Sequence, residues 1–415
     1  MTPQLHKVWL FGHRWIGLLL GLAIALIGLS GSLLVFEDSI DSALYPELHT
    51  VIPTGPVQSF DDLAAAAQAA HPNKTLLYLL RNNDQPETSI SALMTPKSRQ
   101  VPGRTQVFIN PYTGAVLGSR PEHNWLGMVH DFHGEFLAGP TGELLVGALA
   151  IVLLFSLTGG LVLWWPKSSD GAESGKGRWK RALSVKSSGT LKRLLRDVHN
   201  VTGASFFVVL FVCSLTALPL IWPEESKVVL SKVLGEPPVE EHRRTSTRPE
   251  DLSHTDNRIS LGQAAMIGQA QSPGHWVNLA LNAFGPTGSY MIRTLPAGET
   301  AMSKSITVFV DRYSGEVIDT ADPSQQHIVD ALASDFAGTI HNGSILGLPG
   351  RWLVFAGGLA FPMLFVTGLL VWLRGKFTKD VLTDLREQPQ SRTSKPTRKA
   401  KARPHQSRDP KSRMP

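Results

Sequence analysis

Four stretches of the chain run for 22 residues without a charged side chain: 15–36, 144–165, 201–222 and 352–373. About 20 apolar residues suffice to cross the hydrocarbon layer of a bilayer, so the pattern predicts a polytopic membrane protein with four transmembrane helices. The first run is too long for the apolar region of a signal peptide and lacks a small-x-small cleavage site, so it is expected to remain as a helix. Between the spans the pattern changes. DDLAAAAQAAHP, from Asp61, predicts a capped helix ended by Pro72, and KTLLYLLR, ETSISALM and TQVFINPYTGAVLGSR predict short strands with PYTG as a hairpin turn. Residues 223–325 repeat the plan, with SLGQAAMIGQAQSP as the helix and HWVNLALNAF, SYMIRTL and SITVFVDRYSGEVIDT as the strands.

VFINPYTGAVL at 107 and VFVDRYSGEVI at 308 are the clearest internal match, and an internal repeat sets the architecture. The expected fold is a four-helix transmembrane core in two repeated halves, each half carrying an outer α+β domain. The expected order is lead-in and first span (1–36), outer domain (37–125), approach helix and second span (126–165), basic loop (166–200), third span (201–222), second outer domain (223–325), approach helix and fourth span (326–373), and basic tail (374–415). Both approach segments share a helix, a histidine and a glycine-proline break, and the Thr-Gly pairs in SLTGGLVLWW and FVTGLLVWLR with Gly357-Gly358 permit close helix packing.

Charge gives the orientation. The net charge of +6 is concentrated in 166–200, with nine Lys and Arg against three acids, and in the thirteen basic residues from Arg374 onward, whereas 37–143 and 223–351 carry more acid than base. By the positive-inside rule the middle loop and both termini are cytoplasmic and both long segments lie outside. The basic excess is therefore a topology signal and gives no reason to invoke nucleic acid. The tail should be disordered and solvated, with contact to anionic lipid as the other reading. Trp15, Trp164, Trp165, Trp222, Trp352 and Trp372 mark helix ends as an aromatic belt. Cys213 is the only cysteine, which excludes a disulfide framework or a cysteine-held zinc or iron–sulfur site within one chain and leaves it a packing role.

The candidate chemistry lies in histidines. His13 is followed by Gly17 and His199 by Gly203, each four residues on at the head of an uncharged run. On a helix such a glycine lies one turn along the same face, so a flat group held by the imidazole could approach the backbone. His133 and His341 sit in matching places in the two approach segments, His133 seven residues before Pro140 and His341 eight before Pro349, which requires a one-residue indel. Two pairs follow, His13 with His199 at the inner end and His133 with His341 at the outer end. Bis-imidazole ligation of iron suits electron transfer, and without a CxxCH motif any haem would be non-covalent haem b, two per chain. His130, three residues before His133, is the alternative outer ligand or a propionate partner. Arg14 and Arg196 are open to propionate pairing or to a topological role. Zinc fits less well, because each pair lacks a third ligand. His49, His71, His123, His242, His254, His275, His327 and His405 fall in predicted loops, where surface exposure is expected and no role is assigned.

HRWIGLLLGLAIALIGLSGSLLVFED, VHDFHGEFLAGPTGELLVG, SLTGGLVLWWP, LLRDVHNVTG, TIHNGSILGLPGRW and VTGLLVWL together resemble the PepSY-associated transmembrane helix family over residues 5–375. The outer segments resemble PepSY domains, FVDRYSGEV more closely than FINPYTGAV. The resemblance implies an inner-membrane haem b protein that carries electrons outward to reduce a periplasmic ferric siderophore and release its iron, with His13, His133, His199 and His341 as axial ligands. No GxGxxG follows a strand, so a quinol or cytoplasmic protein would supply the electrons. Two other readings stand beside it. One is an anchored PepSY protein that binds a partner or regulates a peptidase. The other is a siderophore or metal permease, which the charge-free spans disfavour.

Overall fold

The computed structural model describes residues 2–81, 85–97, 103–166, 175–186, 189–235, 258–281, 288–297, 299, 304–326, 328–333 and 335–387. Helices α1 (Pro3–Leu19), α2 (Gly21–Val35), α3 (Glu37–Leu44), α4 (Pro46–His49) and α5 (Phe60–Ala70) precede strands β1 (Lys74–Leu80), β2 (Ile90–Pro96), β3 (Thr105–Ile109) and β4 (Val116–Pro121). Helices α6 (Trp125–Glu135), α7 (Gly139–Trp164), α8 (Gly175–Ala182), α9 (Leu191–Ile221), α10 (Pro223–Leu234) and α11 (Leu261–Gln271) follow. Then come β5 (His275–Leu281), β6 (Tyr290–Leu295), β7 (Ile306–Val310), β8 (Val317–Ala321), α12 (Ile328–Leu332), α13 (Asp335–His341) and α14 (Gly347–Glu387).

Among the described residues α7, α9 and α14 are long and apolar enough to cross a membrane, and α1 with α2 makes a fourth span if the pair counts as one. Leu144, Phe155, Val208, Leu215, Met363 and Val366 leave these helices unburied. Apolar side chains left unburied along such long helices are those of a lipid-facing surface. The first span differs from the straight helix expected over 15–36. It bends by 64° between α1 and α2, where Leu20 departs from ideal helix dihedrals at φ −110° and ψ −10°. Gly21 lies under the Phe365 ring, 2.6 Å from where a Cβ would stand, so the break admits an aromatic side chain from α14. The helix also begins far earlier than expected, at Pro3, capped by the Thr2 hydroxyl.

The other spans extend past their uncharged runs too. His199 lies within α9 because Thr190 caps that helix, and α14 continues to Glu387. Part of the tail expected to be disordered is thus helical, since no proline or glycine interrupts 376–388. Residues 388–415 lie outside the described residues. The span core closes on small residues. A Cβ on Gly28 would meet the Gly358 carbonyl oxygen at 2.8 Å, and one on Gly147 would meet the Trp222 ring at 2.4 Å. Ser32 is buried between α2 and α14 and donates to Gly28 O and Phe355 O.

The strands join into one eight-stranded antiparallel sheet, ordered β4-β3-β2-β1-β5-β6-β7-β8. Its centre is the β1–β5 pair, Tyr78 opposite Ala280 and Leu80 opposite Asn278. Register shifts fall between Leu76 and Tyr78 in β1 and between Trp276 and Asn278 in β5, and again after Phe108 in β3 and after Phe309 in β7. Both expected hairpin turns are present. Asn110 Oδ1 accepts from the amides of Tyr112 and Thr113, Asp311 Oδ1 accepts from those of Tyr313 and Ser314, and Gly114 and Gly315 take positive φ. One face of the sheet packs under α5 and α11, with Leu63, Ala67, Ala264 and Ala265 against Leu79, Met94, Val107, Ile292 and Val308. Asp61 ties the two helices, accepting from Ser260 Oγ and Gly262 N at 2.8 and 3.1 Å.

Candidate functional site

His13 on α1 and His199 on α9 come within 6.1 Å of each other, ring centre to ring centre, and His133 on α6 and His341 on α13 within 6.2 Å. The residues of each pair are 186 and 208 positions apart in the chain (199 − 13 and 341 − 133).

A different helix orients each ring through Nδ1. His13 Nδ1 meets Ser156 O of α7 at 2.9 Å, His133 Nδ1 meets Ile27 O of α2 at 3.0 Å, and His199 Nδ1 meets Leu364 O of α14 at 3.1 Å. His341 is held from α9, by the Thr216 hydroxyl at 3.1 Å and the Cys213 carbonyl. A carbonyl offers no proton, so Nδ1 must donate and Nε2 of the neutral ring keeps its lone pair. A hydroxyl three residues beyond the carbonyl completes three of the four contacts: Ser30 Oγ, Thr367 Oγ1 and Thr216 Oγ1, at 3.1, 3.0 and 3.1 Å from Nδ1. At His13 the hydroxyl is that of Ser156 itself, 3.2 Å away. No hydrogen bond to Nε2 of these four rings occurs among the described residues.

Glycines make room for the rings. A Cβ on Gly31 would stand 2.7 Å from His133 Cε1, one on Gly160 3.0 Å from His13 Cε1, and one on Gly368 3.3 Å from His199 Cε1. Each is a helix position where a side chain would push the imidazole away. Thr367 and Gly368 form one of the Thr-Gly pairs that the sequence marked for packing, and Gly160 follows the other, Thr158-Gly159; Gly31, Ser30, Ser156 and Thr216 were not singled out in the sequence. Gly17 and Gly203 behave differently, since a Cβ on Gly17 would meet nothing within 4 Å and one on Gly203 only Leu364 Cδ2 at 3.6 Å. Neither is pressed against a neighbouring backbone.

The chain turns sharply after His133 and after His341. The Glu135 carbonyl, two residues after His133, lies 1.6 Å from where a Cβ on Gly142 would stand. Gly343, two residues after His341, faces Gly350 in the same way, with its carbonyl oxygen 2.2 Å from a Cβ there. Gly142 and Gly350 are both nine residues past their histidines, so in this frame no indel is required. Phe136 and Leu137 enter the first turn with φ of 49° and 57°, a left-handed pair that costs roughly 1–2 kcal/mol per non-glycine residue.

His130 is not brought to either pair. Its side chain is 70% exposed and 4.0 Å from Asp131. Arg14 lies over Trp15, 5.7 Å from the ring centre, and Arg196 is exposed. Cys213 packs beside His341 and its Sγ reaches His341 O at 3.5 Å. No group of three or more His, Cys, Asp and Glu that could hold a metal ion occurs among the described residues; the histidines come in twos.

One histidine assigned to the surface is buried. His49 donates from Nε2 to Asp41 Oδ2 at 2.9 Å, while Arg120 of β4 grips both Asp41 oxygens at 2.7 and 2.5 Å and lies over Phe108. Burial alone would raise the Asp41 pKa; the Arg120 hydrogen bonds and charge, aided by His49, overcome it and hold the carboxyl below its ordinary value. The cluster fixes α3, which directly follows the first span, to the sheet. His71 and His123 are partly or fully exposed as expected. His242, His254, His327 and His405 fall outside the described residues, as does the side chain of His275.

Residues 11–374 match the family described as the PepSY-associated TM region. Among solved structures the chain is similar to one described as a "putative lipoprotein" from Clostridium difficile 630, at 9% identity and a TM-score of 0.26, over 66% of this chain and 98% of that chain. So low a score carries no argument about fold or function. No curated protein matches the chain.

Proposed function

The chain belongs to the PepSY-associated TM region family, and on that premise we propose that it is a haem b-containing inner-membrane oxidoreductase. In this reading it passes electrons outward across the membrane to a periplasmic ferric siderophore, whose iron is released on reduction. The observation that carries the proposal is the spacing and tautomer of the two histidine pairs. Two imidazoles on opposite sides of one metal, each bonded at about 2 Å, have ring centres about 6 Å apart, and the pairs stand at 6.1 and 6.2 Å. Each ring also has its Nδ1 hydrogen-bonded from a neighbouring helix, the second-shell contact that orients a ligating imidazole and raises its basicity.

The residues present therefore fit a group that would take one nitrogen from each of two histidines. His13 and His199 would hold an inner haem, and His133 and His341 an outer one. When bound, haem b would supply one-electron chemistry. The chain's own part is to orient and insulate. Ser156, Leu364, Ile27 and Thr216 fix the rings, the glycines hold space beside them, and the apolar spans exclude water from the inner pair. The electrons would come from a quinol or a cytoplasmic carrier, and ferric ion bound by its chelator would take one. We read the two halves as repeats, because the histidine pairs, the sheet's register shifts and the glycines nine residues past the outer histidines recur at matching places.

The test is a reduced-minus-oxidised spectrum with pyridine haemochrome quantification on purified protein, in wild type and in His13→Ala, His199→Ala, His133→Ala and His341→Ala. Two haems b per chain are expected, with the inner and outer substitutions each removing one. A chain that stays colourless when made with ample haem would overturn the reading and favour a partner-binding PepSY protein.

A further inference from the structure

Among the described residues α8 is the one short helix of the basic loop, and its sequence, GKGRWKRA, holds four cations and no acid. It does not float free of the membrane core. Trp179 packs its ring against Trp164 and Trp165 of the last turn of α7, at 5.6 and 5.3 Å between centres, and Trp164 Nε1 donates to Ala182 O at 3.3 Å. The tryptophan cluster thus fixes α8 at the level where the second span leaves the hydrocarbon. The same cluster is left uncovered. Trp165 is 53% exposed, Trp179 39%, and Leu183, one turn beyond Trp179, 47%. In water this would be an apolar patch with nothing against it, flanked by Lys176, Lys180 and Arg181, which are exposed, and by Arg178.

An amphipathic helix with tryptophan and leucine on one side and lysine and arginine on the other is the composition of a segment lying in the headgroup layer. Its charge selects the lipid, because each cation held at an anionic surface adds to the attraction. We propose that α8 is a docking surface for anionic phospholipid: Trp165, Trp179 and Leu183 enter the acyl boundary, and Lys176, Arg178, Lys180 and Arg181 bind the phosphates of acidic headgroups. The surface would tether the α7–α9 connection to the bilayer at Trp164, one turn beyond Gly160, which packs against His13. The inference rests on the membrane assignment alone and is independent of whether haem is bound.

The experiment uses the full chain in nanodiscs of phosphatidylcholine and phosphatidylglycerol, with Leu183→Cys in a Cys213→Ser background labelled with an environment-sensitive fluorophore. Brominated acyl chains are placed on one lipid at a time. Quenching is expected from both lipids, and about fivefold more efficiently per mole from brominated phosphatidylglycerol, the enrichment that even one cation at an anionic surface provides. Exchanging the four cations for glutamine should abolish the preference, while the lysine-for-arginine swaps Lys176→Arg, Arg178→Lys, Lys180→Arg and Arg181→Lys should keep it, which separates lost charge from lost folding. Equal quenching by the two lipids in the unsubstituted surface would overturn the assignment to anionic lipid. A label that stays in water would overturn the docking altogether and leave the basic face to a soluble acidic partner.

Discussion

Glu135 and Gly142 touch backbone to backbone: the Glu135 carbonyl oxygen lies 1.6 Å from where a Cβ on Gly142 would stand. The contact folds the end of α6 onto the start of α7 and thereby sets the direction of His133. Gly343 and Gly350 make the equivalent contact after His341. Neither backbone can move aside as a side chain could, so Gly142→Ala and Gly350→Ala are each expected to destabilise the fold by about 1–3 kcal/mol or more, the usual penalty of overpacking. In the spectrum of the purified protein the outer haem should be lost or weakened while the inner one persists. A full-strength outer signal in Gly142→Ala would show that the turn does not position His133.

The glycines beside the rings should grade in their effects. Gly31 leaves 2.7 Å to His133 and Gly368 leaves 3.3 Å to His199, so Gly31→Ala must displace an imidazole whereas Gly368→Ala needs a shift of only a few tenths of an ångström. Haem occupancy at the outer pair should fall sharply in Gly31→Ala. In Gly368→Ala the inner haem should be retained with an altered potential. Pyridine haemochrome counts and a redox titration distinguish the two.

Ser30, Thr216 and Thr367 carry no ligating atom, yet each hydroxyl completes the hydrogen bonding at a histidine Nδ1. Such outer contacts are commonly worth 10–100-fold in affinity for the bound metal group. Ser30→Ala, Thr216→Val and Thr367→Val are expected to weaken haem retention by about that range and to raise the midpoint potential of the affected haem, because a less basic imidazole stabilises ferric iron less. Unchanged potentials in all three would show the hydroxyls to be ordinary helix-packing groups.

The Asp41 cluster predicts a pH dependence of stability. The Asp41 carboxyl is held below its ordinary value, so its stabilisation is complete above the unfolded-state pKa, about 3.9, and is lost as pH falls through the lower folded-state value. The unfolded chain binds the proton first, which is why acid favours it. Asp41→Asn should flatten this acid limb of stability, measured by thermal melting across pH 3–6. Arg120→Ala, which leaves His49 as the partner the buried carboxylate keeps, should cost roughly 3 kcal/mol at neutral pH.

Much of this was legible along the chain because it depends on local period and composition. Runs without charge mark the spans, alternation and turn chemistry mark β1 to β4 and β5 to β8, and the helical segments read from Asp61 and from Ser260 mark α5 and α11. The four histidines stood out because ionisable groups at the ends of apolar runs are costly, and the internal match between the halves paired them. What the chain could not show by itself depends on distance across it. The break at Leu20 needs the Phe365 ring from α14, the single sheet needs β1 to meet β5, and His49 is buried only because Arg120, 71 positions further on (120 − 49), closes over Asp41. The partners of each Nδ1 likewise come from helices that tertiary packing alone selects. Local sequence determines which segments form and which side chains are available, while the direction of each imidazole follows from which backbone carbonyl the folded helices bring within hydrogen-bonding reach.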